Sequence, residues 1–121
     1  MSQLFLVVGA IFAGLSVILG AFAAHGLKSR LSEYALGVFQ TAVEYQMYHA
    51  LGLVLIGILG KMGMQLSISG YFMIAGVLLF SGSLYALALT GIKWFGPITP
   101  IGGVCFIVAW AAMVVKILQM K

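Results

Sequence analysis

The segment LFLVVGAIFAGLSVILGAFAA, residues 4–24, contains no charged side chain, and its reading decides the fold class. A helix crossing a hydrocarbon core about 30 Å thick needs about 20 consecutive apolar residues, and this run supplies them. The rest of the chain follows suit: 64% of its 121 residues are hydrophobic, 7% are charged, and the mean hydropathy is +1.21. A water-soluble domain needs a polar surface that such a composition cannot provide.

Further apolar stretches run from about Tyr45 to Gly60, within Met62 to Ile92, and from Trp94 to Val115. Glu44 interrupts the second, and an amphipathic extension back to about Tyr34 gives it ample length. The expected spans are therefore about 4–24, 36–60, 67–90 and 98–118, in a single transmembrane domain covering residues 1–121. The runs are apolar on both parities, unlike the alternating segments of about ten residues in a membrane β-barrel. Backbone amides in lipid must then be satisfied within helices. The fold class expected is all-α, an integral membrane four-helix bundle whose second helix is amphipathic in its first half.

Ala21-Phe22-Ala23 imitates a signal-peptide cleavage site, but no Lys or Arg precedes the apolar run, which is already a full span. Cys105 is the single cysteine and lies inside the fourth span, where it reads as a small apolar filler. The formal charge of +4 comes from cations placed singly near span ends, which suits bilayer anchoring and argues against nucleic acid. Lys28, Arg30 and Lys93 fall on one side, and Lys61, Lys116 and Lys121 on the other. The balance leaves orientation open.

Spans associate through small residues, because lipid removes the hydrophobic drive between helices. Gly9, Ala13, Ser16, Gly20 and Ala24 form one such seam, Gly102, Cys105, Ala109 and Ala112 another, and Ala75, Gly82 and Ala86 a third. Ser32 is placed to cap the second helix. Gly26 and Gly91 are placed to end the first and third, and Pro97 with Pro100 marks entry to the fourth.

Glu44 is the formally charged residue at or near hydrocarbon depth, and an ionisable group there is a functional candidate. Gln40, Thr41, Glu44, Tyr45 and Tyr48 form one polar stripe, which His49 borders. His25, in the turn after the first span, is within geometric reach of Glu44. Ser81, Ser83 and Tyr85 add hydroxyls in the third span, where such groups often bond back to their own helix. The stripe supports three readings: a buried network fixing helix register, an ion, proton or small-molecule site, or an interface for another membrane protein or a second copy. Catalysis has little support. Two histidines with one nearby Glu match no metal-ligand spacing, and Ser81-Gly82-Ser83 lacks the strand-turn-helix setting of a hydrolase serine.

Four ordered segments carry a resemblance: Gly20 to Leu27 (GAFAAHGL), Tyr45 to Leu51 (YQMYHAL), Ser81 to Tyr85 (SGSLY) and Thr99 to Gly103 (TPIGG). Together they resemble the domain of unknown function 423 family, also called transmembrane protein 256-like, whose bacterial members of the YgdD type are small inner-membrane proteins. Ala23 stands where another small residue such as Gly is expected. The resemblance implies a multi-span protein of the bacterial cytoplasmic membrane and brings no activity, cofactor or catalytic residue.

The segments it rests on place His25, Gln40, Thr41, Glu44, Tyr45, Tyr48, His49, Ser81, Ser83, Tyr85 and Thr99 where polar groups enter the membrane. They are expected to converge as one intramembrane polar cluster. The function expected is a non-enzymatic structural or accessory membrane subunit, with no cofactor or metal. Its partners would be membrane lipids and another copy or another membrane protein, and not nucleic acid. The alternative is a proton, ion or small-molecule transporter or channel-like protein using Glu44 and the histidines.

Overall fold

Four helical spans, Ser2–Leu27, Glu33–Lys61, Ser67–Thr90 and Lys93–Leu118, make up nearly all of the computed structural model, which describes residues 1–120. Each is long and apolar enough to cross a membrane, and there is no strand among the described residues. Lys121, counted above among the anchoring cations, lies outside them. The first span is α1 (Ser2–Phe22) followed by a π-helical turn, Ala23–Leu27; the second is α2 (Glu33–Lys61). The third joins α3 (Ser67–Gly76) to α4 (Gly82–Thr90) through a π-helical segment, Val77–Ser81. The fourth is a 3-10 turn, Lys93–Phe95, leading into α5 (Ile98–Leu118).

Local chemistry sets the ends. The Ser32 hydroxyl accepts from the Ala35 amide at 3.1 Å and caps α2. Gly91 closes α4 in the left-handed conformation, φ 71°, which favours glycine. Gly26 does not act as a stop: its φ is not positive, and the helix continues to Leu27. The cause lies in packing, because Ala23 and Leu27 are buried in a cluster with Phe39 and Ala88 that holds this last turn against its neighbours.

α2 is the hub. It lies along α1, touches α3 and α4, and meets α5 through the rings of Tyr45 and His49. Its inward face, Phe39, Ala42, Gln46, His49, Leu53, Ile56 and Gly60, is buried throughout at steps of three and four. Close approach is paid for by absent side chains: a Cβ on Gly9 would stand 2.8 Å from the Ala50 carbonyl, and one on Gly102 would run into the Phe80 backbone nitrogen. Gly9 and Ser16 of the expected first seam are buried, but Ala24 is exposed. The helical repeat and the π turn carry the buried line to Ala23 instead. In the third span the buried face is Gly70, Met73, Gly76 and Val77, while Ala75, Gly82 and Ala86 are half-buried.

Backbone-to-backbone contact at Gly102 leaves a methyl nowhere to go, whereas nothing lies within 4 Å of a Cβ at Gly14. Gly102→Ala is expected to destabilise the fold by about 1–3 kcal/mol, the cost of overpacking. Gly14→Ala is expected to be neutral or stabilising by up to about 1 kcal/mol through helix propensity. Reversible unfolding in bicelles measures both.

Candidate functional site

Gln46 sits in the middle of the inward face of α2, 4% exposed, and joins three spans. Its Nε2 donates to the Phe12 carbonyl of α1 at 2.8 Å, and its Oε1 accepts the Tyr85 hydroxyl of α4 at 2.6 Å. The Phe12 carbonyl also accepts the Ser16 hydroxyl at 2.8 Å. The Tyr85 ring packs on Phe39 with centroids 5.0 Å apart, so the hydroxyl is aimed by an apolar contact. One helical level away, the Ser81 hydroxyl donates across the interface to the Ala42 carbonyl of α2 at 2.8 Å. That bond starts from the last residue of the π-helical segment.

His49 faces α5. Its Nε2 is 3.0 Å from the Trp110 indole nitrogen, which can only donate, so Nε2 accepts. The hydrogen must then be on Nδ1, which donates to the Tyr45 carbonyl at 2.8 Å. With both ring nitrogens engaged in these roles, the imidazole is neutral in this arrangement. The ring lies flat on Phe106, centroids 3.5 Å and planes 9° apart. Tyr45, Phe80 and Trp110 complete an aromatic groove of about 690 Å³ that opens sideways between α2 and α5.

A third pairing joins the third and fourth spans: Ser83 and Thr99 hydroxyls are 2.6 Å apart, and Ser83 also donates to the Phe80 carbonyl at 3.0 Å. The expected single cluster is thus divided. Ser81, Ser83 and His49 are buried, Tyr85 and Thr99 half-buried, and all five are paired in separate groups, of which the His49 group alone reaches the stripe, at Tyr45. Gln40, Glu44 and Tyr48 are exposed on the outer side of α2, Thr41 is half-buried and bonds back to the Gly37 carbonyl at 3.0 Å, and Tyr45, partly exposed, turns its ring onto Phe80 at the groove beside α5. His25 is exposed at the end of the first span and shares no hydrogen bond with Glu44 among the described residues.

The geometry of α2 explains the division. Gln46 follows Glu44 by two residues, about 200° around a helix, so only one of them can face the neighbours. The packing residues Phe39, Ala42 and Leu53 share Gln46's face and choose it. Sequence reasoning missed Gln46 and Trp110. The available signal was the step of three and four that places Gln46 in line with small and apolar residues. Among the described residues no three His, Cys, Asp or Glu side chains gather where a metal ion could be held.

Removing one partner of a buried pair leaves the other unsatisfied. Tyr85→Phe is expected to cost about 0.5–2 kcal/mol and Gln46→Ala at least as much, with the double variant below their sum because the two share one bond. Interhelical bonds in membranes average about 0.6 kcal/mol, which sets the lower end. The same unfolding measurement in bicelles, run as a double-mutant cycle, checks this.

A family model described as "Protein of unknown function (DUF423)" matches residues 19–103. A UPF0382 membrane protein of Staphylococcus haemolyticus is 46% identical over 94% of this chain and 94% of the relative. One from Staphylococcus saprophyticus is 48% identical over 93% and 95%, and the UPF0382 membrane protein YwdK of Bacillus subtilis is 47% identical over 93% and 94%. No solved structure matches the chain. With matches this complete, in helices built to cross a bilayer, the chain belongs to the DUF423 family of membrane proteins.

Proposed function

We propose that the protein is a non-enzymatic structural or accessory subunit of the bacterial cytoplasmic membrane, which binds another membrane protein or a second copy through the outer face of α2. One observation carries this reading: the polar residues of α2 point two ways. The inner set is paired, while Glu44 faces outward at membrane depth. At 1.5 Å per residue, setting Glu33 at one boundary of the hydrocarbon core puts Glu44 about 16 Å deep. Setting Lys61 at the opposite boundary of a 30 Å core still puts it about 5 Å inside. A carboxyl group there is costly against lipid and is relieved by a polar partner.

The outer face has the spacing of a helix-packing seam. Gln40, Glu44, Tyr48, Leu51, Leu55 and Ile58 are all exposed and follow one another by three or four residues. Gln40 and Tyr48 flank Glu44 by one turn on either side, so a docking helix would meet a carboxyl group between an amide and a hydroxyl. Transport through Glu44 and the histidines has less support, because His49 has both ring nitrogens engaged and turns to Trp110 of α5, away from Glu44.

Two experiments test the reading. After Cys105→Ala, cysteines at Tyr48, Leu51 and Leu55 are expected to cross-link to a neighbouring subunit in native membranes, whereas one at Ile107, exposed on α5, does not. Equal or absent cross-linking at all four positions would sink the interface. In proteoliposomes, proton flux is expected to equal that of protein-free vesicles. A flux abolished by Glu44→Gln would establish the transport alternative instead.

A further inference from the structure

The exposed seam of α2 that ends at Ile58 reaches back past Gln40 to Gly37. Counting about 100° per residue, the seam lies within about 40° of one line, and no residue of α2 inside that strip is covered. At about 1.5 Å per residue, Gly37 and Ile58 stand about 32 Å apart along the axis, roughly the thickness of a hydrocarbon core. The other three spans thus leave this face open from one boundary of the bilayer to the other.

The spacing along the strip repeats by heptads. Glu44, Leu51 and Ile58 are seven residues apart, as are Tyr48 and Leu55, and the two sets alternate by steps of four and three. These are the d and a positions of a left-handed coiled coil. The strip is polar from Gln40 to Tyr48 and apolar from Leu51 to Ile58. A second copy inserted in the same direction carries the same pattern at the same depths, so each layer faces itself, polar on polar and apolar on apolar. A copy inserted the other way would lay Leu51, Leu55 and Ile58 on Gln40, Glu44 and Tyr48. A foreign helix would have to reproduce both halves in register, and this chain already does.

We propose that the occupant of this face is a second copy of the chain, parallel to the first, and that the two Glu44 side chains meet beside a two-fold axis along the membrane normal. The inference rests on the docking role given to α2 above and names its partner. In a parallel seam each d side chain enters a hole made by four residues of the facing helix. For Glu44 these are Thr41, Glu44, Tyr45 and Tyr48 of the second copy. Three of the four carry hydroxyls, and Tyr48 is exposed on the strip itself. Each carboxyl group then finds a hydroxyl donor at membrane depth, in a chain whose cations all stand near span ends.

The test co-expresses two differently tagged forms of the full chain, both with Cys105→Ala and Leu51→Cys, and oxidises the membranes. A disulfide-linked dimer of twice the chain mass that carries both tags is expected, because Leu51 is a layer that faces itself. Glu44→Lys in both forms is expected to lower the dimer yield about tenfold, since two ammonium groups bring donors and no acceptor. Glu44 is exposed and outside the Gln46 network, so the fold survives the change, which the helical circular dichroism of the purified variant checks. Glu44→Gln is expected to keep the dimer, because a carboxamide both donates and accepts. Glu44→Lys in one form alone is expected to give more mixed dimers than the yields of the two unmixed dimers predict, because an ion pair then replaces two like groups. Mixed dimers at or below that level would show that position 44 does not meet itself and would overturn the proposal. Adducts of another mass carrying one tag would overturn the second copy as occupant and leave the docking role of α2 standing. No adduct at Tyr48, Leu51 or Leu55 would remove both.

Discussion

A polar side chain placed between helices inside a bilayer has no water to return to, so the helices must be arranged around its partners. Gln46 is that side chain here. Its amide uses donor and acceptor at once, tying the Phe12 carbonyl of α1 to the Tyr85 hydroxyl of α4. Moving α1 or α4 along α2 by one residue would break one of these bonds, and apolar contacts alone would resist such a slip only weakly. The bond from Ser81 to the Ala42 carbonyl and the one from Trp110 to His49 fix the remaining neighbours of α2 in the same way. Small residues then let the backbones come close enough for these bonds to form, as Gly9 does beside Ala50 and Gly102 beside Phe80.

The number of spans and the helical class were legible because they depend on long uncharged runs, a property of composition that no tertiary contact can reverse. The caps at Ser32 and Gly91 were legible for a related reason, since each depends on its own side chain or lack of one. Gly26 was not, because burial of Ala23 and Leu27 overrides the local preference of a glycine to end a helix. The polar site was legible by residue type but not by direction. The Gln40 to Tyr48 stripe has the pattern of a polar face, and in a soluble helix such a face points to solvent. In a membrane the opposite expectation, that polar means interior, drew Glu44 inward. Packing by Phe39, Ala42 and Leu53 gives the interior to Gln46 and His49.

This division gives the second span two roles. Its inner face finds its hydrogen-bond partners within one chain. Its outer face presents an ionisable group at membrane depth and continues as an apolar seam toward Ile58. The connections between spans are short, and the proposed contact with another membrane protein or a second copy therefore rests on this lateral face.

The central claim is that the polar interior is dry and paired while Glu44 belongs to the outside. Water-edited solid-state NMR of the labelled protein in proteoliposomes tests it most directly, by timing magnetisation transfer from water to individual side chains. Slow transfer to Gln46, Tyr85 and His49, compared with rapid transfer to Lys28 at the membrane surface, is the predicted result. Transfer to Gln46 and His49 as rapid as to Lys28 would reveal water between the helices and contradict the account.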